Sequence, residues 1–197
     1  SVVLSVRNRV HGILNGVDYQ IWNPECDPNI AENYSLNDLS GKKKCKAALQ
    51  ESLDLPVNPN LPLLGSIGRF DRQKGLDLIA EIMEDYLLRG EAQFVVLGTG
   101  DPEIERQFQR LEERFPKSVR VRTGIDEALA HQIQAGADLF LMPSRFEPCG
   151  LAQLYSLKYG TVPVVRLTGG LADTIRDYNE AQKDGYGFVF NKADAKE

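Results

Sequence analysis

Between residues 63 and 190 the spacing of apolar positions switches repeatedly between two patterns. Short strand-like runs occur at 63–67, 94–97, 119–122, 138–142, 162–165 and 188–190. They are flanked by turn residues, as buried strands are. Between them apolar residues recur at helical spacing: Leu76, Ile79, Ile82, Met83, Tyr86 and Leu87 in 76–88, then Ile104, Phe108, Leu111 and Phe115. Residues 126–135, 150–159 and 170–177 read as further helices. Asp101 is placed to cap the helix that Pro102 opens. Strand followed by helix, five or six times with short loops, predicts an α/β fold: a parallel sheet with helices on both faces and right-handed crossovers.

Upstream of residue 63 the pattern is weaker. Residues 1–40 are irregular, except that 12–18 reads as a short strand running into a turn, because Asn15-Gly16 favours positive φ. A helix is expected from Ser40 to near Leu53, with Lys42, Lys43, Lys44 and Lys46 on a solvated face. The expected division is an irregular lead-in at 1–40, one domain at 41–190 and a polar tail at 191–197.

The chain has 197 residues, 42% of them hydrophobic, which suffices for one core. A net charge of −5 and a pI near 5.2 argue against nucleic acid or an anionic membrane as a bulk partner. No apolar run approaches the ~18 residues of a membrane span. The chain opens on Ser without a charged-then-apolar leader, so no signal peptide is expected, and a fragment or processed form is. Three cysteines without C-x-x-C spacing fit a reducing compartment. Two distant histidines give no metal site to expect.

Candidate chemistry lies where an open α/β sheet holds ligands, at the carboxyl ends of strands. After strand 63–67 come Arg69, Lys74 and Gly75: two cations five apart and a glycine that permits close approach. After strand 138–142 comes Arg145-Phe-Glu-Pro-Cys-Gly-Leu151. Glu147 can accept hydrogen bonds from hydroxyls or cap the next helix. Gly150 and Leu151 offer free N–H groups to an anion. Cys149 is either a packing residue or a thiol activated by the helix start, with no base beside it. Thr168-Gly169-Gly170 forms another strand-to-helix junction, either a ligand contact or a flexible loop. Gly98-Thr-Gly100 opens like a dinucleotide fingerprint, but Glu103 stands at the third glycine, which disfavours NAD and leaves a tight turn. Cations and N–H groups suit a diphosphate, and a carboxylate suits a hydroxylated ring; together they describe a nucleotide sugar.

Several strings then carry a resemblance. Gly12-Ile-Leu-Asn-Gly16, Gln73-Lys-Gly75, Gly98-Thr-Gly-Asp-Pro102, Ser144-Arg-Phe-Glu-Pro-Cys-Gly-Leu151, Tyr159-Gly-Thr161 and Thr168-Gly-Gly-Leu-Ala-Asp-Thr174 resemble the bacterial glycogen synthase and plant starch synthase family, from about residue 10 to 190. The resemblance implies a Rossmann-like parallel sheet forming the second half of a two-domain GT-B glycosyltransferase. It implies transfer of glucose from ADP-glucose, or UDP-glucose, to the non-reducing end of an α-1,4-glucan with retention. No cofactor is implied beyond the donor itself. Arg69 and Lys74 would bind the diphosphate and Glu147 the glucosyl hydroxyls. Gly150, Leu151 and Cys149 would lie near the phosphates, with Asn15, Gly16, Thr168, Gly169 and Gly170 as further donor contacts. Ile125 stands where bacterial members often place an adenine-stacking aromatic, and Tyr155 where related retaining transferases carry a second glutamate. Base preference and the ribose contact therefore stay open. The family's amino-terminal domain, with its acceptor groove, has no counterpart in this sequence. The expected fragment is the donor-binding half, inactive alone, from a bacterial cytosol or a plastid stroma. The alternative is a nucleotide-binding module without catalysis.

Overall fold

The computed structural model describes residue 9 and residues 11–195. A helix α1 (Ser40–Ser52) precedes the alternating region: β1 (Leu63–Ile67), α2 (Leu76–Leu88), β2 (Gln93–Gly98), α3 (Pro102–Arg114), β3 (Val119–Thr123), α4 (Glu127–Gly136), β4 (Leu139–Met142), α5 (Ala152–Lys158), β5 (Val162–Arg166), α6 (Gly169–Thr174) and β6 (Phe188–Phe190). The sheet order is β3-β2-β1-β4-β5-β6, and every neighbouring pair is parallel. This is the doubly wound order, in which the direction of winding reverses between β1 and β4.

The strand period of two divides the core. Phe94 and Val96 of β2 point to a cluster with Leu76, Ile79 and Met83 of α2 and Phe108 of α3. Val95 and Leu97 point the other way, to Leu129 and Ile133 of α4, Phe140, Val165 and Leu171. The helix on each face thus meets its own set of strand residues. The coverage is incomplete beside β4, β5 and β6, where a cavity of about 620 Å³ runs between α2 and Leu141, Val164, Phe188 and Phe190.

Local chemistry sets several boundaries. Asp101 accepts from the Glu103 N–H at 2.8 Å and Asp126 from the Leu129 N–H at 2.9 Å, capping α3 and α4 as side-chain oxygens do. Helix α5 begins two residues later than its periodicity suggests, because Gly150 takes a left-handed φ of 72° and Leu151 is the cap. Helix α6 ends by Thr174, short of 177, because Asp177 instead forms a parallel bridge to Gly187.

Two expectations about the amino-terminal part do not hold. Residues 12–18 form no strand: the segment is largely exposed, with Ile13 92% exposed, and no neighbouring strand pairs with it. Nor do the lysines of α1 share one solvated face. Lys46 is buried, with Nζ donating to Pro59 O, Leu61 O and Asp138 Oδ2. Lys42 Nζ donates to Ala135 O and Thr161 Oγ1, and burial pushes its pKa down to about 8. Both act as internal ties between α1 and the sheet.

The lead-in is held by a polar and aromatic cluster. Asp27 accepts from Tyr159 Oη at 2.5 Å and pairs with His131 Nδ1 at 2.7 Å. Trp22 stacks between His131 of α4 and Tyr155 of α5, with centroid distances of 3.8 and 3.9 Å. Among the described residues no helix is long and apolar enough to cross a membrane.

Candidate functional site

The carboxyl ends of β1 and β4 lie side by side at the reversal of winding. The loop after β1 carries residues 68–75, and the loop after β4 carries 143–151. The two are strapped together. Gln73 O accepts from the Arg145 N–H at 2.8 Å. Arg145 makes a bidentate pair with Asp77 in the first turn of α2, at 2.6 and 3.0 Å, and donates to Arg72 O at 2.7 Å. Such fork pairing fixes orientation as well as distance. Gly75 allows the close contact: its φ is 71°, and a Cβ there would lie 2.1 Å from Pro143 O. A second arginine, Arg166 of β5, donates to Ser144 O and Arg145 O at 2.8 and 2.7 Å.

This strapping brings Lys74 and Glu147 together. Lys74 Nζ lies 2.5 Å from Glu147 Oε2, and Ser144 Oγ lies 3.3 Å from the same oxygen. The Glu147 side chain is 7% exposed and that of Lys74 28%. They border a cavity of about 140 Å³, lined also by Ser66, Ser144, Gly150 and Leu151. Gly150 and Leu151 immediately precede α5, where the first N–H groups of a helix lack intrahelical partners. One small cavity thus has a cation, a largely buried carboxylate and a helix start on its wall.

The other candidate residues lie differently. Arg69 is on the same loop, but its side chain is 68% exposed and pairs with Asp71 at 3.2 Å. Asp71 also accepts from the Lys74 N–H at 2.8 Å, so one carboxylate ties Arg69 and the Lys74 backbone. Asn15 and Gly16 sit in the exposed segment and do not line the cavity. Thr168 precedes α6 with an extended backbone. Gly169 and Gly170 approach protein backbone: Cβ atoms there would meet Glu147 O at 2.1 Å and Cys149 O at 1.9 Å, and the Gly170 N–H donates to Glu147 O. Their lack of a side chain lets α6 close under the 147–149 turn. Cys149 is half-buried, and its carbonyl accepts from Gln153 Nε2 at 3.2 Å. Gly98 and Gly100 likewise press on the β1 loop, at Gly68 O and Phe70 O, and form a tight turn.

Sequence reasoning passed over Gln153, Arg166 and the Arg145–Asp77 clasp, and it quoted Ser144 without foreseeing its bond to Glu147. Arg145 stood inside the motif, but nothing local distinguished Asp77 from any acidic residue in a first helical turn. Among the described residues no group of His, Cys, Asp and Glu is arranged to hold a metal ion.

The comparisons with known proteins bear on the family and the fold. The chain is 54% identical over 185 residues to glycogen synthase of Thioalkalivibrio sulfidiphilus, an alignment covering 92% of this chain and 38% of that protein. It is 50% identical over 194 residues to glycogen synthase of Thermotoga maritima, covering 98% of this chain and 40% of the relative. The chain therefore spans about two fifths of the length of the curated relatives it matches. The catalytic domain of starch synthase IV from Arabidopsis thaliana, solved with ADP and acarbose, superposes with a TM-score of 0.90 and 38% identity, over 99% of this chain and 41% of that one. The C-terminal domain of a glycosyl transferase group 1 protein from Francisella tularensis shares the fold, with a TM-score of 0.61 at 15% identity. Residues 50–197 match the family model described as glycosyl transferases group 1, and this chain belongs to that family.

Proposed function

We infer that this chain is the donor-binding half of a two-domain glucosyltransferase that extends an α-1,4-glucan from ADP-glucose with retention of configuration. The observation that carries the reading is the cavity at the β1–β4 junction, where Lys74, Glu147 and the start of α5 converge. The high identity to glycogen synthases and the likeness to a starch synthase domain solved with ADP support the same assignment and favour ADP over UDP.

Each group has a physical part. The Lys74 ammonium and the N–H groups of Gly150 and Leu151 meet the diphosphate and stabilise the charge that grows on it as the glycosidic bond breaks. Arg69, on the exposed rim, adds a further cation to the diphosphate. Glu147 accepts hydrogen bonds from glucosyl hydroxyls. Asn15, Gly16 and Thr168 contribute at the edge once the acceptor-binding half closes over the crevice. Retention without a protein nucleophile suits a front-face displacement, in which the leaving diphosphate guides the incoming hydroxyl. Closure must also exclude water, or the donor is hydrolysed. Residues 41–190 form the donor unit and 1–40 the lead-in from the other half.

The reading is tested with ADP-glucose and malto-oligosaccharide. The natural full-length protein is expected to lengthen the glucan, and the 197-residue chain is not. Chain growth by the 197 residues alone, or none by the full-length protein, would contradict it. A nicotinamide cofactor binding better than ADP in calorimetry would redirect it to redox chemistry.

A further inference from the structure

The two oxygens of Glu147 are used unequally. Oε2 takes both Lys74 Nζ and Ser144 Oγ, whereas among the described residues nothing donates to Oε1. Glu147 is only 5% exposed and lines the cavity, so its free oxygen belongs to the cavity wall. A carboxylate this deep needs compensation, and Lys74 supplies most of it. Lys74 Nζ carries three hydrogens, and Glu147 Oε2 is the acceptor the structure gives it. The same ammonium is therefore the counter-charge of Glu147 and the cation that an entering anion must meet.

An anion that arrives alone draws on Lys74 and brings nothing to Glu147. The carboxylate then shares its one counter-charge with a second anion in a largely buried site. A ligand that joins an anion to a hydroxylated ring behaves differently, because its hydroxyls donate to Oε1 while its phosphates engage Lys74. Resting on the donor-site reading above, we propose that the Lys74–Glu147 pair couples the two halves of the ligand, so that the crevice prefers a nucleoside diphosphate sugar over the same nucleoside diphosphate without its sugar. The coupling also acts after transfer. Once the glucosyl group has left, the diphosphate product faces an undercompensated carboxylate, which favours its release.

The test is calorimetric titration of the 197-residue chain with ADP and with ADP-glucose, up to millimolar ligand. The unmodified chain should bind ADP-glucose about tenfold or more tightly than ADP, a difference of about 1.4 kcal/mol. Glu147→Gln keeps the shape and removes the charge. It should bind ADP at least as tightly as the parent and ADP-glucose less tightly, bringing the ratio to within about threefold. Ser144→Ala removes a hydrogen bond that compensates Oε2 and leaves the carboxylate leaning harder on Lys74, so it should raise the ratio, and it carries the test if Glu147→Gln does not fold. A ratio near one in the parent, or a ratio unchanged in the folded variants, overturns the coupling while leaving the donor site standing. Absence of binding by either ligand overturns the donor-site reading and the coupling with it.

Discussion

Strand β4 has a lysine–carboxylate pair at each end, and the two pairs are built on different terms. At the amino end Lys46 meets Asp138 at 2.7 Å, just before β4. All three hydrogens of Lys46 have acceptors, in Pro59 O, Leu61 O and Asp138 Oδ2, and the same Asp138 oxygen takes the Leu63 N–H. At the carboxyl end Lys74 meets Glu147 at 2.5 Å beside a cavity, and among the described residues hydrogens of the lysine and Oε1 of the carboxylate have no partner. A saturated pair holds a fold together. An unsaturated pair at the switch point of a parallel sheet keeps hydrogen-bonding capacity beyond its own ion pair. Volume alone would have misled: the cavity of about 620 Å³ beside β6 exceeds the one of about 140 Å³ at Lys74 and Glu147, yet its wall is mostly apolar, with residues such as Leu141, Val164 and Phe188.

The contrast can be broken by exchanging the outcomes at its two ends. The largest effect is expected at Lys74. Lys74→Ala in the full-length enzyme should lower turnover about a hundredfold, since one fixed donor to a developing anion accounts for roughly 2.7–4 kcal/mol of barrier. Some loss of thermal stability is expected beside it, because the largely buried Glu147 carboxylate keeps Ser144 as a donor but loses its cation. Unchanged turnover would remove Lys74 from the mechanism. Lys46→Met should instead cost stability alone. It strands three acceptors and should destabilise the chain by about 1.5–3 kcal/mol in urea melts, with ADP affinity unchanged. A variant at residue 46 that melts normally but loses nucleotide would erase the distinction between the pairs.

A smaller effect is expected at Asp27, where the lead-in docks. Burial alone would raise its pKa. Hydrogen bonds from Tyr159, the Asn29 N–H and His131, with the charge of His131, outweigh burial and hold it below the usual carboxylate range. A depressed folded pKa means that the stabilisation is fully present above the unfolded value of about 3.9 and is lost as the pH falls through the folded one. Trp22 is the sole tryptophan and stacks against His131, so its fluorescence reports this docking. Acid should release the stack in the parent, whereas Asp27→Asn should start less stable and vary less below about pH 4. An identical acid profile in both would show that Asp27 is not the titrating group.

Much of this architecture could be read from the chain before any coordinates. The alternation of periods two and 3.6 gave the strands and helices from 63 onward, because a buried strand and an amphipathic helix must display those patterns. Asp101 could be read as a cap because capping is local. Lys74 and Glu147 could be expected beside one crevice because each follows a strand end. What could not be read depends on distant partners. Lys42 and Lys46 look solvated until carbonyls from residues 59, 61 and 135 surround them. Residues 12–18 look extended until no strand arrives to pair with them. Gly169 and Gly170 could be placed at a strand-to-helix junction, but not against the 147–149 backbone that packs on them. The Arg145–Asp77 clasp emerges only once the two loops are side by side.

The most direct measurement is a crystal of this chain soaked with ADP-glucose. The account predicts a diphosphate within hydrogen-bond distance of Lys74 Nζ, near the start of α5, and a glucosyl hydroxyl on Glu147 Oε1. Ligand seated instead in the apolar groove beside Leu141 and Phe188, or a Lys74–Glu147 crevice left empty at millimolar donor, would contradict it.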